Sequence, residues 1–174
     1  MGDCGEKCVT LWRNINLQTV AMRFLGGIEA KIDAKGRVFL PSVFRKVLQG
    51  LGEERLVLRR DVFQSCLVLY PESVWNGQMD DMRLKLNRWN KTHQQIFRQF
   101  VSEAETVVLD GNGRFLISKR CLQAAGISTD VRFIGMGDSI EIWSSEACDS
   151  AMMDPEQFGN ILEELMDSGS GGEL

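Results

Sequence analysis

The order of apolar and polar positions repeats within this chain of 174 residues. A short helix is predicted after the second strand of each half, following Pro41 and Ser118. A shift of 77 residues brings one half onto the other, so the chain is predicted to contain two copies of a β-β-α-β-β unit. Apolar and β-branched runs predict the strands, which lie at 27–32, 38–40, 55–60 and 66–70, and again at 105–109, 115–117, 131–135 and 139–143.

The same motif, Asp-x-x-Gly-Arg, stands between the first two strands of each copy. It occupies Asp33–Arg37, which we call the first tip, and Asp110–Arg114, which we call the second tip. A glycine in a short polar segment between two strand-like runs predicts a β-hairpin. Each tip is therefore expected to turn a hairpin and to present an arginine beside a glycine.

A helical segment separates the two copies. From Arg83 to Arg98 this segment has five basic residues and no acidic residue. Two interpretations remain open: the helices pack on their own domain, or they form a helix hairpin at a subunit interface. Apolar residues at alternating steps of four and three predict a coiled-coil seam of about two heptads, formed by Trp75, Met79, Met82, Leu86 and Trp89. A second apolar face is predicted from Ile96, Phe97, Phe100 and Val101.

These patterns divide the chain into five regions. Residues 1–21 lack periodicity, and we expect them to be a disordered extension or to precede the true start at Met22. The other four regions are a first module at 24–71, a helical linker at 72–103, a second module at 104–148, and an acidic helix with a flexible tail at 149–174. A module of about 45 residues rarely buries enough apolar surface alone, so the two modules are expected to pack as one pseudo-symmetric unit.

Charge is distributed unevenly along the chain. The formal net charge is −4, yet residues 1–132 contain all 20 Lys and Arg against 14 acidic residues, a net of +6. Ten acidic residues and no basic residue follow Arg132. A basic body with an acidic C-terminal segment is compatible with a nucleic-acid partner despite the negative total.

The cysteines and the single histidine indicate a protein without bound cofactor or metal. The five cysteines include no Cys-x-x-Cys pair, and His93 is the only histidine. This predicts a reducing, cytosolic compartment and no zinc site. No apolar run approaches the ~20 residues that span a bilayer, and the N-terminus lacks a signal-peptide pattern. The sequence therefore favours a cytoplasmic protein without membrane contact.

Enzyme classes find little support in the sequence. A His-activated nucleophile is not favoured, because His93 lies in the helical linker. Asp110–Gly113 superficially resembles a calcium loop, but Arg114 stands where such a loop needs an oxygen ligand. The run Gly135–Gly137 lacks the third glycine and the following helix of a dinucleotide site. An enzyme is therefore the least favoured class.

The tips carry residues that suit recognition of phosphate or of a base edge. Arginine can contact phosphate or guanine with two hydrogen bonds, and Asp33 and Asp110 can hold the turn or orient the arginine. The alternative is a well-formed turn with an exposed cation. The pairs Arg45–Lys46 and Arg59–Arg60 are expected to be solvated surface charges.

Residues 33–45 of the first copy read Asp-Ala-Lys-Gly-Arg-Val-Phe-Leu-Pro-Ser-Val-Phe-Arg, and the second copy adds Asp-x-x-Gly-Arg, Ala124–Ile127 and Ile140–Trp143. The first copy resembles the signature of the bacterial MraZ proteins. The resemblance covers about residues 22–148 in the expected order. Two residues depart from the pattern: Asn112 stands where the family often has Gln, and Ser118 stands where the first copy has Pro41.

This resemblance implies both a fold and a function. The fold is α+β, mainly β, with two tandem AbrB/SpoVT-like swapped-hairpin modules that form one pseudo-symmetric β-barrel unit with a helical linker. The function is that of a ring-shaped homo-oligomer on the nucleoid that binds short direct repeats in double-stranded DNA. It would regulate transcription of the division and cell-wall gene cluster and of its own gene. The implied DNA-binding residues are Asp33, Lys35, Arg37, Asp110 and Arg114.

One further class remains as the alternative. The chain could be an AbrB-like antitoxin or another protein-interaction module, whose DNA binding is secondary to a protein partner. Recovery of a cognate toxin with the purified chain would favour that class. Undiminished DNA binding after loss of Arg37 would remove the role given to the first tip.

Overall fold

The computed structural model describes residues 23–168, and these residues form a mixed α+β fold, as the sequence predicts. The predicted disorder of residues 1–21 and the end of the predicted tail lie outside the described residues. Within 23–168, no helix is both long and apolar enough to cross a membrane. In chain order the elements are β1 (Gly27–Lys31), β2 (Arg37–Phe39), α1 (Ser42–Leu51), β3 (Arg55–Arg60), β4 (Leu67–Pro71), α2 (Glu72–Lys85), α3 (Lys91–Ser102), β5 (Glu105–Val108), β6 (Arg114–Leu116), α4 (Lys119–Ala124), β7 (Asp130–Gly135), β8 (Ile140–Ser144), α5 (Ser145–Ala151) and α6 (Pro155–Ser168).

Six strands form one antiparallel sheet in the order β1-β7-β8-β4-β3-β5. The strands β1 and β5 end this sheet, since β1 pairs with β7 and β5 pairs with β3. Strands β2 and β6 form a separate two-stranded ribbon. The predicted β-barrel is therefore wrong: closure would require the two edge strands to pair with each other, and in the described residues they do not.

The strands that flank each tip pair with strands of the other half rather than with each other across the tip. Strand β1 lies beside β7 from Gly27↔Ile134 to Lys31↔Asp130, and β5 lies beside β3 in the equivalent arrangement. The equivalent strands of the two halves are β1 and β5, β3 and β7, and β4 and β8. Each of them occupies the same position in the sheet, counted from opposite edges. The predicted hairpins are wrong, because the strands that flank each tip belong to different sheets. Apolar periodicity indicates which face of a strand is buried but does not identify its partner.

One hydrophobic core is built from both halves of the chain. Strands β2 and β6 contribute Val38 and Phe115, while α1 and α4 contribute Phe44 and Cys121. Phe24 precedes β1 and packs edge-to-face on Phe44, with 5.7 Å between the ring centroids. Because its buried side chains alternate between the halves, neither half would enclose this core without the other.

The short helices after the ribbon begin and end where the sequence predicts. Pro41 precedes α1, and Gly52 ends it with a left-handed φ of 70°. At the start of α4 the hydroxyl of Ser118 accepts a hydrogen bond from the N–H of Cys121 at 3.3 Å, which satisfies one of the unpaired donors of the first turn. Helices α1 and α4 therefore follow directly on the strands that leave the tips.

The linker forms two helices, and the predicted seam is wrong at its C-terminal end. Helix α2 ends at Lys85, and Trp89 lies in the connection with 95% of its surface exposed. Two asparagines cause the break. The side chain of Asn87 accepts from the N–H of Trp89 at 2.9 Å, and that of Asn90 caps α3 by accepting from the N–H of His93 at 3.1 Å. Such local hydrogen bonds compete with a continuous helix.

Helices α2 and α3 are fixed to the sheet by aromatic rings around Arg59. Trp75 of α2 stacks on Phe100 of α3 with 5.1 Å between centroids, and the guanidinium carbon of Arg59 lies 4.0 Å from the Phe100 centroid. Arg59 is 4% exposed, so the prediction of a solvated charge is wrong for this residue. Burial lowers the pKa of Arg59, and the faces of the two rings attract its guanidinium charge. This end of the helix pair therefore packs on its own domain.

Gly135 offers a test of how the start of the described chain packs. Its N–H donates to the carbonyl of Gly26 at 2.9 Å, and a Cβ here would overlap the backbone of Phe24 and Leu25. We expect Gly135→Ala to lower the free energy of unfolding by about 1–3 kcal/mol, because Phe24 must shift from its buried position. Urea unfolding followed by circular dichroism measures the change.

The matched control is Gly77→Ala. Gly77 lies within α2, and a Cβ there would meet no atom within 4 Å. Alanine at this position is expected to raise the free energy of unfolding by about 0.5–1 kcal/mol, because glycine is unfavourable inside a helix. Equal stability of the two variants would contradict the packing of Phe24 against Gly135.

Candidate nucleic-acid interface

The first tip is a turn held together by its own aspartate. The N–H of Asp33 donates to the carbonyl of Arg37, and the N–H of Gly36 donates to the carbonyl of Asp33, both at 2.9 Å. Oδ1 of Asp33 accepts from the N–H groups of Lys35 and Arg37, each at 2.9 Å. Gly36 has a φ of 86°, which glycine adopts without strain. The carboxylate therefore fixes the backbone of the turn.

The same carboxylate orients the side chain of Arg37. Oδ2 of Asp33 accepts from Nε of Arg37 at 2.8 Å and lies 2.8 Å from Nη2. Both side chains remain partly exposed, at 36% for Arg37 and 39% for Asp33. A guanidinium bound along its Nε–Nη2 edge keeps Nη1 available for another acceptor. Asp33 thus presents a pre-oriented cation.

The second tip reproduces these hydrogen bonds. The N–H of Asp110 donates to the carbonyl of Arg114 at 2.7 Å, and Oδ1 of Asp110 accepts from the N–H groups of Asn112 and Arg114 at 2.9 Å. Oδ2 accepts from Nε of Arg114 at 2.9 Å. Gly113 has a φ of 79°. Two turns 77 residues apart therefore hold their arginines in the same way.

Backbone N–H groups lower the pKa of both tip carboxyls. The largest cause is the N–H of Arg37 for Asp33 and the N–H of Arg114 for Asp110. Because the folded-state pKa is lowered, the two ionised carboxylates stabilise the folded state fully above the usual aspartate pKa of about 3.9. This stabilisation is lost as pH falls through the lowered value. Binding that depends on the tips is therefore insensitive to these two groups between about pH 6 and pH 8.

Each tip is joined to a strand of the other half. The N–H of Leu40 donates to the carbonyl of Gly113 at 3.0 Å, and the N–H of Ile117 donates to the carbonyl of Gly36 at 2.9 Å. Between these bonds, β2 and β6 pair with Val38 opposite Phe115. The two tips therefore lie at opposite ends of one short ribbon.

The ribbon has a buried face and an exposed face. Val38 and Phe115 face the core, and their neighbours along each strand face outward. The guanidinium carbon of Arg114 lies 5.7 Å from the ring centroid of Phe39, a cation–π contact. From the register and ordinary strand spacings, the Cα atoms of the two tip arginines are roughly 8 Å apart. The outward residues are Arg37, Phe39, Arg114 and Leu116.

A second lysine, which was not predicted from the sequence, lies beside the first tip. A cleft of about 440 Å³ beside this tip is lined by Lys35 and also by Lys119, Ser128 and Thr129 of the second half. Lys119 begins α4. The pairing of β2 with β6 brings α4 to the first tip, and apolar periodicity carried no signal of that pairing. Two lysines therefore accompany Arg37.

The second tip is approached by Arg45 of α1. Its side chain packs over Gly113, where a Cβ would overlap the guanidinium. Arg45 was predicted to be a solvated charge, which is wrong: it is half-buried, and its Nε has no hydrogen-bond partner among the described residues. The 77-residue shift aligns Arg45 with Leu122, which lines the cleft beside the first tip. Arg45 thus adds a cation at the tip where Asn112 stands in place of Lys35.

A metal-binding cluster is not assembled in the described part of the chain, and two of its cysteines are core residues. Residues 23–168 contain no cluster of three or more His, Cys, Asp or Glu that could hold a metal ion. Burial raises the pKa of Cys66 to about 12 and also raises the pKa of Cys121. Both thiols are therefore protonated at neutral pH and serve as core side chains.

Comparison with known proteins gives one consistent result. The model of the family described as "MraZ protein, putative antitoxin-like" matches residues 23–98 and 100–150. The protein named Transcriptional regulator MraZ of Phocaeicola vulgatus is 62% identical over 153 residues, which cover 88% of this chain and 99% of that protein. Its namesake in Bacteroides fragilis is 59% identical over 145 residues, covering 83% and 92%.

Similarity extends to more distant bacteria. The Transcriptional regulator MraZ of Xanthomonas campestris is 33% identical over 145 residues, which cover 83% of this chain and 97% of that protein. These three relatives carry the name of a regulator and not of an enzyme. The family match spans both tips and the ribbon between them. The chain therefore belongs to the MraZ family.

Proposed function

We propose that the chain is a sequence-specific DNA-binding transcriptional regulator whose DNA-facing surface includes Asp33, Lys35, Arg37, Asp110 and Arg114. The observation that carries this proposal is the repeated tip: an aspartate holds an arginine in the same way at both ends of one ribbon. Such an arrangement presents two oriented cations on a rigid, exposed face. The name of the relatives, transcriptional regulator, supports the same class.

The ribbon has the shape and chemistry of a DNA-reading element. The major groove of B-DNA is about 12 Å wide and admits a two-stranded β-ribbon. Arginines whose Cα atoms lie roughly 8 Å apart can then reach base edges or the flanking phosphates. Phe39 is 56% exposed between them and can contact a thymine methyl group. Arg37 and Arg114 would read bases, while Lys35, Lys119 and Arg45 would contact phosphates.

The two halves are proposed to be AbrB/SpoVT-like swapped-hairpin modules, at 24–71 and 104–148. The crossed pairings, β1 with β7 and β5 with β3, support this assignment, because each module completes the sheet of the other. One ribbon offers few contacts, so several copies in a ring would bind successive direct repeats and multiply a weak affinity. On the family resemblance, the targets are the division and cell-wall gene cluster and the protein's own promoter, in the cytoplasm and on the nucleoid.

A second candidate function comes from the family description, which includes the word antitoxin. In that case DNA binding would accompany neutralisation of a protein partner. Purification of the tagged chain from its host, followed by mass spectrometry, tests this candidate. Recovery of one stoichiometric toxin would favour it over a regulator that acts alone.

Removal of either tip arginine is expected to weaken binding to the DNA upstream of the protein's own gene. Arg37→Ala and Arg114→Ala should each lose about 1–3 kcal/mol, roughly 5- to 150-fold in affinity. The larger loss is expected for Arg37, whose tip also carries Lys35. Gel shift and fluorescence anisotropy measure the effect. Arg60→Ala is the control, since Arg60 is exposed at the end of β3 that extends beyond its pairing with β5.

Asp33→Asn separates positioning of the arginine from simple charge. It removes a negative charge from the DNA-facing surface, so an interface that responded to charge alone would bind more tightly. If Asp33 orients Arg37, affinity should instead fall about 10-fold, as expected for the loss of a charge-assisted hydrogen bond. Asp130→Asn is the matched control, because Asp130 lies near this tip, paired with Lys31 at 3.3 Å. Tighter binding by both variants would contradict positioning.

Asn112→Lys tests the second tip by a gain of binding. Asn112 holds the turn through its backbone N–H, so the substitution leaves that hydrogen bond in place. The added lysine matches Lys35 of the first tip, and we expect affinity to rise several-fold. The slope of log affinity against log salt should steepen by about 0.9 for one added phosphate contact. The control, Asn112→Ala, should leave the salt slope unchanged. If Asn112→Lys also leaves the slope unchanged, the second tip does not contact DNA.

A further inference from the structure

Helix α6 exposes an apolar stripe that residues 23–168 do not cover. Every residue from 151 to 167 is exposed, including the apolar side chains of this helix. These side chains recur at spacings of three and four, which places them on one face. An uncovered stripe of this size on an ordered helix marks an interaction surface. Its members are Phe158, Ile161, Leu162, Leu165 and Met166.

The other faces of α6 are acidic. Glu156, Glu163, Glu164 and Asp167 are its charged residues, and it contains no Lys or Arg. At 100° per residue, Glu163 and Glu164 flank the apolar stripe on its two sides. The surface that receives α6 must therefore be apolar in the centre and basic at its rim.

The C-terminal end of α2, the connection after it and one side of α3 form a cleft with that character. It has a volume of about 600 Å³, and its walls include the apolar side chains of Leu86, Phe97 and Val101. Arg83, Arg88 and Arg98 also line it. The stretch from Arg83 to Arg98 contains no acidic residue, and Arg88 and Arg98 are exposed. The cleft extends along α3 from His93 to Ser102, whereas Phe100 of the same helix stacks on Trp75.

We propose that α6 of one copy of the chain docks in the α2–α3 cleft of a neighbouring copy. The apolar stripe would enter the cleft with the spacing of helix-in-groove recognition. The flanking glutamates would meet the arginines at the rim, and this complementarity selects orientation and partner. The occupant is another copy rather than the same chain, because within the described residues the stripe of α6 is exposed and does not fill the cleft of its own chain.

The contact joins two different surfaces, so it is heterologous. A heterologous contact generates a closed ring or an open filament, whereas a contact between like surfaces closes as a dimer. Docking of α6 in the next cleft therefore provides a physical route to the proposed ring. This inference rests on the proposed assembly of several copies and not on DNA binding by the tips.

Two variants of the full chain test the contact from either side. Leu162→Glu with Leu165→Glu places charge in the stripe, and Arg88→Glu with Arg98→Glu reverses the rim of the cleft. Each is expected to reduce the assembled mass to that of a single chain in size exclusion with light scattering. Lys85→Glu with Lys91→Glu is the matched control, because both lysines lie on the helix pair outside the cleft. Circular dichroism melting verifies that each variant is folded.

Mixing the two variants gives the decisive measurement. The stripe variant keeps an intact cleft and the rim variant keeps an intact α6, so one contact can form between them. We expect an equimolar mixture to give one-to-one pairs and no larger assembly. The proposal is overturned if the variants retain the wild-type mass, if the wild type is itself a single chain, or if the mixture stays as single chains. If the mixture stays as single chains, α6 docks on its own chain or the cleft binds a different acidic partner.

The outcome is separable from that of the proposed DNA contact. The assembly variants should bind a fragment with one repeat as tightly as the wild type and bind several repeats at least 10-fold more weakly. Tip variants such as Arg37→Ala should retain the assembled mass and lose binding to both fragments. If the tips do not contact DNA, the mass measurements still decide the role of α6.

Discussion

The pairing of β2 with β6 is the constraint on which the rest of the structure depends. This ribbon of three residue pairs joins the two halves, and the carbonyls of Gly36 and Gly113 extend it by accepting from the opposite strand. Because side chains alternate along a strand, burial of Val38 and Phe115 turns Arg37 and Arg114 outward. The same pairing brings α4 to the first tip and α1 to the second. A few backbone hydrogen bonds thus determine both the shared core and the exposed cations.

The ribbon is symmetric in geometry but not in charge. Both aspartates hold the turn and the arginine with the same set of hydrogen bonds, whereas the neighbouring cations differ: Lys35 and Lys119 at one end, Arg45 at the other. This difference would give the proposed DNA-facing surface a direction along the ribbon, which would suit direct repeats rather than a palindrome. The proposed assembly uses other parts of the chain, α6 and the α2–α3 cleft. In these proposals, contact with DNA and contact between copies use separate residues, so each can be altered independently.

The elements and the repeat of the tip motif could be predicted from the sequence, because they depend on local chemistry. The five candidate DNA-binding residues came from the family resemblance and stay a prediction. Helix boundaries followed from Pro41, Ser118 and Gly52, whose effects act within one turn. Strand partners did not follow: a hairpin and a crossed ribbon bury the same alternate residues, so the predicted hairpins and barrel were wrong. For the same reason Lys119 and Arg45 were missed, since each reaches a tip of the other half. Arg59 was assigned to the surface because its aromatic partners, Trp75 and Phe100, lie far away in sequence.

The central claim is that each aspartate acts on DNA through its arginine. A double-mutant cycle on the DNA upstream of the protein's own gene tests it most directly, with Asp33→Asn and Arg37→Ala measured singly and together. If Asp33 serves to position Arg37, Asp33→Asn should weaken binding only while Arg37 is present, so the double variant should bind at least as tightly as Arg37→Ala does. Additive losses would contradict the account, because Asp33 would then act on DNA binding without Arg37.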